Sequence, residues 1–140
     1  MSYIYAPGLG DAGSYQVSGK PFATGSIDVN AETAGGTGTP FRIQFPSVTS
    51  WVSVRNLSNT PASNTVRFGF SALGMFSQGG SNFVTLRDEG EGAEGPAPLE
   101  LKVCEIFIEG TSDHVDVVAG LTDISCEEIP NNWSGSAGVG

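Results

Sequence analysis

The sequence predicts an all-β protein: an antiparallel β-sandwich of jelly-roll-like type, carrying an extended N-terminal arm. Three observations lead there. Apolar residues recur with a period of two from Pro21 onward; turn-forming clusters separate these runs; and no amphipathic helix longer than two turns is evident. Twenty glycines and eight prolines, with abundant Ser, Thr and Asn, favour turns and strands. A chain of 140 residues is the size of one domain, and the expected division is an arm over 1–20, a sandwich over 21–128 and a tail over 129–140.

Residues 1–20 lack either period, yet they hold all three tyrosines, Tyr3, Tyr5 and Tyr15, together with Ile4. Aromatics of this kind anchor a segment that docks on a partner or on the protein's own body. These four residues are therefore the candidate partner-binding set. In PFATGSIDV, Ile27 and Val29 share one side, and in FRIQF the apolar Phe41, Ile43 and Phe45 alternate with Arg42 and Gln44. Pro46 breaks that ladder. VTSWVSVRNL then resumes with Val48, Val52 and Val54 in register, a phase change expected of a bulge or a new strand.

After the turn cluster SNTPASN, the run TVRFGFSAL places Val66, Phe68 and Phe70 on one face and should lie antiparallel beside the preceding strand. A connection SQGGS leads to the short strand NFVTLRD. DEGEGAEGPAP then offers no side chain to a core and reads as a solvated loop. In LELKVCEIFIEG the apolar set Leu99, Leu101, Val103 changes parity to Ile106 and Ile108, so the strand either bulges near Cys104 or is buried on both faces. HVDVVAGLTDI contributes Val115, Val117, Leu121 and Ile124. The total is six to eight short strands, as in a sandwich or jelly roll.

Charge divides the chain. Met1–Arg87 carries a balance of +2 and Asp88–Gly140 one of −11, giving the net −9. A field of that sign repels phosphate backbones, so nucleic acid is not an expected partner. No apolar run reaches the roughly 18 residues that cross a bilayer, and MSYIYAPGLGDAG has neither a basic start nor a hydrophobic stretch, so a soluble product made in the cytoplasm without a secretion signal is expected. Cys104 and Cys126 are too few for a disulfide scaffold and read as reduced, packed thiols, with a single bridge left open.

Several patterns suggest chemistry that their context does not support. GLGDAG, Gly8–Gly13, spells the dinucleotide fingerprint, but SYQVSGKPF follows where a helix must start, and no βαβ unit exists to hold phosphates. Ser112, Asp113 and His114 are adjacent and cannot converge as nucleophile, orienter and base. His114 reads as a solvated loop residue. The acidic stretch 88–98, with Asp88, Glu89, Glu91 and Glu94, could offer oxygen ligands to calcium, but it misses the EF-hand spacing and reads as a solvated turn. Trp51 falls out of phase with Val52 and Val54 and would cover the other face of its strand; Trp133 could anchor an interface. The sequons at Asn56 and Asn132 matter only in a secreted protein. No catalytic, cofactor-binding or metal-ligating residue is assigned, and no enzymatic activity is expected.

GSYQVSGKPFATGS (Gly13–Ser26), FRIQFPSVTSWVSVRN (Phe41–Asn56) and LELKVCEIFIEG (Leu99–Gly110), in that order, resemble the small capsid-decoration, or cement, proteins of marine tailed bacteriophages. The resemblance spans most of residues 13–124 and rests on short strand patterns. It implies a β-rich structural virion protein that joins the outer surface of an assembled head, binds the major capsid protein and trimerises at local three-fold positions. The acidic loop 88–98 departs from that pattern, and no contact residue is carried over. The alternative reading is a glycan- or receptor-binding sandwich module of a phage fibre or neck.

Overall fold

The computed structural model describes residues 19–32, 38–57, 65–87, 97–112 and 114–128. Seven strands form: β1 (Lys20–Ile27), β2 (Phe41–Gln44), β3 (Thr49–Asn56), β4 (Thr65–Gly69), β5 (Phe83–Arg87), β6 (Glu105–Gly110) and β7 (Val115–Leu121). They make two sheets, a three-stranded one in the order β1-β7-β3 and a four-stranded one in the order β2-β6-β4-β5. Every pairing is antiparallel. The all-β expectation thus holds at the level of two antiparallel sheets. The expected arm residues 1–18, the tail 129–140 and the acidic residues 88–96 lie outside the described residues.

The pairing is nested. The first strand joins the last, the second joins the penultimate, and Leu99 forms a single bridge to Val52 of β3. The fourth and fifth strands make the innermost hairpin pair. Period-two residues from both sheets meet in one core: Val52, Val54, Val115 and Val117 from the smaller sheet, Ile43, Val66, Phe68, Ile106 and Ile108 from the larger. Phe22 closes one margin edge-on against Phe45, with ring centroids 5.0 Å apart.

β4 does not lie beside β3 as expected. It pairs with β5 and β6 in the other sheet, because the chain changes sheets between β3 and β4. Two further crossings between the sheets explain both parity shifts. At Pro46 the chain leaves β2 for β3 of the opposite sheet; between Leu99 and Glu105 it passes from the bridge on β3 to β6. For the second shift, the expected bulge is replaced by this crossover, while burial on both faces does occur in β6. β1 also ends sooner than its periodicity suggests. Ser26 adopts a positive φ of 56°, where its N–H donates to Asp116 Oδ1 at 2.9 Å, and a short helix α1 (Val29–Glu32) follows.

The crossings are sealed by two buried threonines. Thr49 Oγ1 donates to Leu101 O at 2.6 Å and accepts from Val103 N at 3.1 Å; Thr122 Oγ1 donates to Val48 O at 2.7 Å and accepts from Ile124 N at 3.2 Å. Backbone polar groups that leave a sheet must be satisfied if buried, and these hydroxyls add to the backbone bonds Thr49 N to Val103 O, Val48 N to Ile124 O and Thr122 N to Val48 O.

The cysteines are not reduced thiols: Cys104 and Cys126 form a disulfide, with Cα atoms 5.8 Å apart. Cys104 enters β6 of one sheet and Cys126 follows β7 of the other, so residues distant in sequence meet at one end of the fold. The bond staples the sheets where the threonines seal them. Replacing both cysteines by serine should lower stability in urea by about 3 kcal/mol, the loop-closure value for this 22-residue separation. Gly110→Ala should cost on the order of 3 kcal/mol in the same titration, since at φ +153° a Cβ would sit 2.2 Å from Thr65 O.

Candidate interaction site

The outer face of the four-stranded sheet is built from residues that alternate with the core set. Register places Arg67 opposite Glu109 and Gly69 opposite Phe107 between β4 and β6, and Gly69 opposite Phe83 between β4 and β5. Such a face ordinarily meets solvent. Here Phe107 and Glu109 are both buried, and the β4–β5 connection, Phe70–Asn82, folds back over Glu109.

Gly69 makes that fold-back possible. A Cβ there would stand 2.8 Å from both Met75 Sδ and Asn82 O, so only a bare Cα admits the fully buried Met75. The connection closes on itself through Met75 N to Ala72 O (3.3 Å), Gln78 N to Met75 O (3.1 Å), Gly80 N to Met75 O (2.9 Å) and Asn82 N to Gly74 O (2.9 Å), with a 3-10 turn at Phe76–Gln78. Ser71 Oγ accepts from Gly74 N at 3.1 Å.

Two further contacts tie it to the sheet. Ser77 N–H donates to both carboxylate oxygens of Glu109, each at 3.2 Å. The Arg67 guanidinium lies 4.6 Å from the Phe76 ring centroid and 5.7 Å from that of Phe83, and the two rings meet edge to face at 6.2 Å. Stacking of this kind contributes through the ring quadrupole. The consequence is a ridge whose buried side anchors it and whose outer side displays Leu73 and Phe76, which are 63% and 56% exposed. Val84 of β5 is exposed too, but it stands opposite core-facing Phe68 and so belongs to the inner face at the edge of the sheet, not to the ridge. A fixed display of large apolar side chains suits binding, since little ordering entropy remains to be lost.

Of the residues singled out from sequence, some lie outside the described residues and the others are not part of the ridge. Tyr3, Ile4, Tyr5 and Tyr15, the GLGDAG stretch, Asp88, Glu89, Glu91, Glu94 and Trp133 lie outside the described residues. Trp51 is half-buried on the outer face of the smaller sheet, opposite Gly120, as its phase indicated. His114 immediately precedes β7 with Nε2 3.2 Å from Asp116 Oδ1, and its carbonyl accepts Leu57 N–H; it is a partly exposed, paired residue. Ser112 is buried and donates to Asn56 Oδ1 at 2.7 Å, so this hydroxyl is engaged with the amide of the first sequon. Among the described residues no three acidic, His or Cys side chains gather to hold a metal ion.

No protein-family model matches the chain, and neither the curated proteins nor the solved structures yield a match.

Glu109→Ala would leave the Ser77 amide without its acceptor under the ridge, a loss of about 1–3 kcal/mol for a buried unsatisfied group. Urea unfolding should register that loss, whereas alanine in place of the exposed Gln78 should leave the midpoint unchanged.

Proposed function

We propose that this protein is a structural virion subunit of the capsid-decoration kind, which attaches to the outside of an assembled phage head and reinforces it. The observation that carries the reading is the rigid ridge: buried Met75 and Glu109 hold Leu73 and Phe76 outward. A protein that acts by adhesion needs such a preformed apolar surface, and it needs no converging nucleophile and base.

The strand order supports the same reading. Pairing of first with last, second with penultimate, third with the Leu99 bridge and fourth with fifth follows the path of a long hairpin wrapped over itself, and we interpret the fold as a jelly-roll sandwich whose sixth strand is reduced to that bridge. The resemblance of Gly13–Ser26, Phe41–Asn56 and Leu99–Gly110 to phage decoration proteins agrees with it. In this reading the segment bearing Tyr3, Ile4, Tyr5 and Tyr15 grips the major capsid protein. Three copies joined as a trimer convert individually modest contacts into one tight attachment.

Purified protein mixed with undecorated heads should co-sediment with them at hundreds of copies per particle. Deleting residues 1–18, which stops short of β1, should abolish attachment and leave the melting transition intact. Undiminished attachment by the truncated protein would remove the arm assignment; a handful of copies per particle would point to a neck or tail component.

A further inference from the structure

We propose that the ridge is a self-association surface, and that it docks on the Leu99–Glu100 edge of a second copy of this chain. This rests on the self-association part of the preceding reading and assigns the surfaces that make it. Among the described residues the exposed large apolar side chains are Leu73, Phe76, Val84 and Leu99. Leu73 and Phe76 belong to the ridge, and Val84 lies on the edge strand β5 with the core-facing phase of its partner Phe68. The fourth stands alone at the margin of the other sheet.

Leu99 exchanges backbone hydrogen bonds with Val52, N to O at 2.8 and 2.9 Å, and so extends the smaller sheet beyond β3. Directly opposed residues share a face, and Val52 points into the core. Leu99 therefore carries a core-facing phase while remaining 40% exposed, and among the described residues no strand flanks it on its far side. Its neighbour Glu100 is exposed and makes no ion pair among the described residues.

Charge selects the occupant. Thr65–Arg87, the segment that builds the ridge, contains two arginines and no acidic residue, in a chain of net charge −9. Arg67, poised over Phe76, likewise makes no ion pair among the described residues. Copies so acidic repel one another except where unlike charges meet. Ridge against edge sets Leu73 and Phe76 on Leu99 and the Arg67 guanidinium near the Glu100 carboxylate. Ridge against ridge would oppose like charges. A contact between two different patches is heterologous, the kind that closes rings when the rotation permits.

Sedimentation velocity on the full chain, across micromolar concentrations, tests this with Leu73→Glu, Leu99→Glu and Glu100→Lys. All three positions are exposed, and an unchanged circular-dichroism melt shows that each variant folds. Wild type should associate, and every variant should raise the dissociation constant by about ten-fold or more. Leu73→Glu retains an intact edge and Leu99→Glu an intact ridge, so a mixture of the two should form a 1:1 complex that neither forms alone.

Monomeric wild type would sink the self-association reading itself, whereas associating wild type with unaffected variants would sink only the surface assignment. Loss in Leu73→Glu without rescue by Leu99→Glu would mean that ridge meets ridge, contradicting the edge. Variants that sediment as wild type but no longer attach to heads would place the ridge on a different protein. Attachment by the chain truncated before β1 is a separate measurement, so failure of the decoration reading would not be mistaken for failure here.

Discussion

Burial of β6 on both faces is the constraint from which the rest follows. Ile106 and Ile108 enter the core between the sheets, while Phe107 and Glu109 are covered from outside. A strand so placed has no solvent face, and its backbone hydrogen bonds are spent on β2 and β4. Its ends are fixed as well. Cys104 is bonded to the segment beyond β7 just before it begins, and Gly110 lets the chain pass under Thr65 as it ends. Movement of β6 would disturb the core, the staple and the ridge together.

The crossing at Phe45–Thr49 shows how the sequence meets that constraint. Pro46 cannot continue the β2 ladder, so the chain leaves its sheet, and the Thr49 side chain adds a donor and an acceptor beside the Thr49 N to Val103 O bond. Thr122 repeats the solution on the partner segment. Two hydroxyls and one disulfide thus do at one end of the fold what sheet ladders do elsewhere. Both hydroxyls donate and accept, which is why isosteric valine would be a poor substitute despite its better burial.

Much of this was readable in the residues themselves. The alternations FRIQF, TVRFGF and HVDVV each became a strand with the expected residues in the core, and the phase jumps at Pro46 and before Glu105 marked real departures from a sheet. Partner choice was not readable. Sequence proximity favours β3 with β4, but wrapping of the whole chain puts them in different sheets, and only long-range burial decides that. The disulfide escaped for the same reason, since two cysteines acquire proximity from the topology. The ridge escaped for a different one. Glu109 has the phase of a solvent-facing residue, and nothing local announces that a glycine-containing connection will cover it. The available clue was Leu73, Met75 and Phe76, large apolar residues in a stretch that otherwise looks like a turn.

The adhesive role proposed above would depend on stiffness: Leu73 and Phe76 stand outward over buried Met75 and over Glu109, which accepts from Ser77 N–H. Native-state hydrogen exchange on the intact protein tests that most directly. The account predicts that the Ser77, Gly80 and Asn82 amides exchange as slowly as those of β4, through unfolding of the sheet itself. Exchange of these three within seconds, while β4 and β6 remained protected, would show a loose loop lying on the sheet and would contradict the central claim.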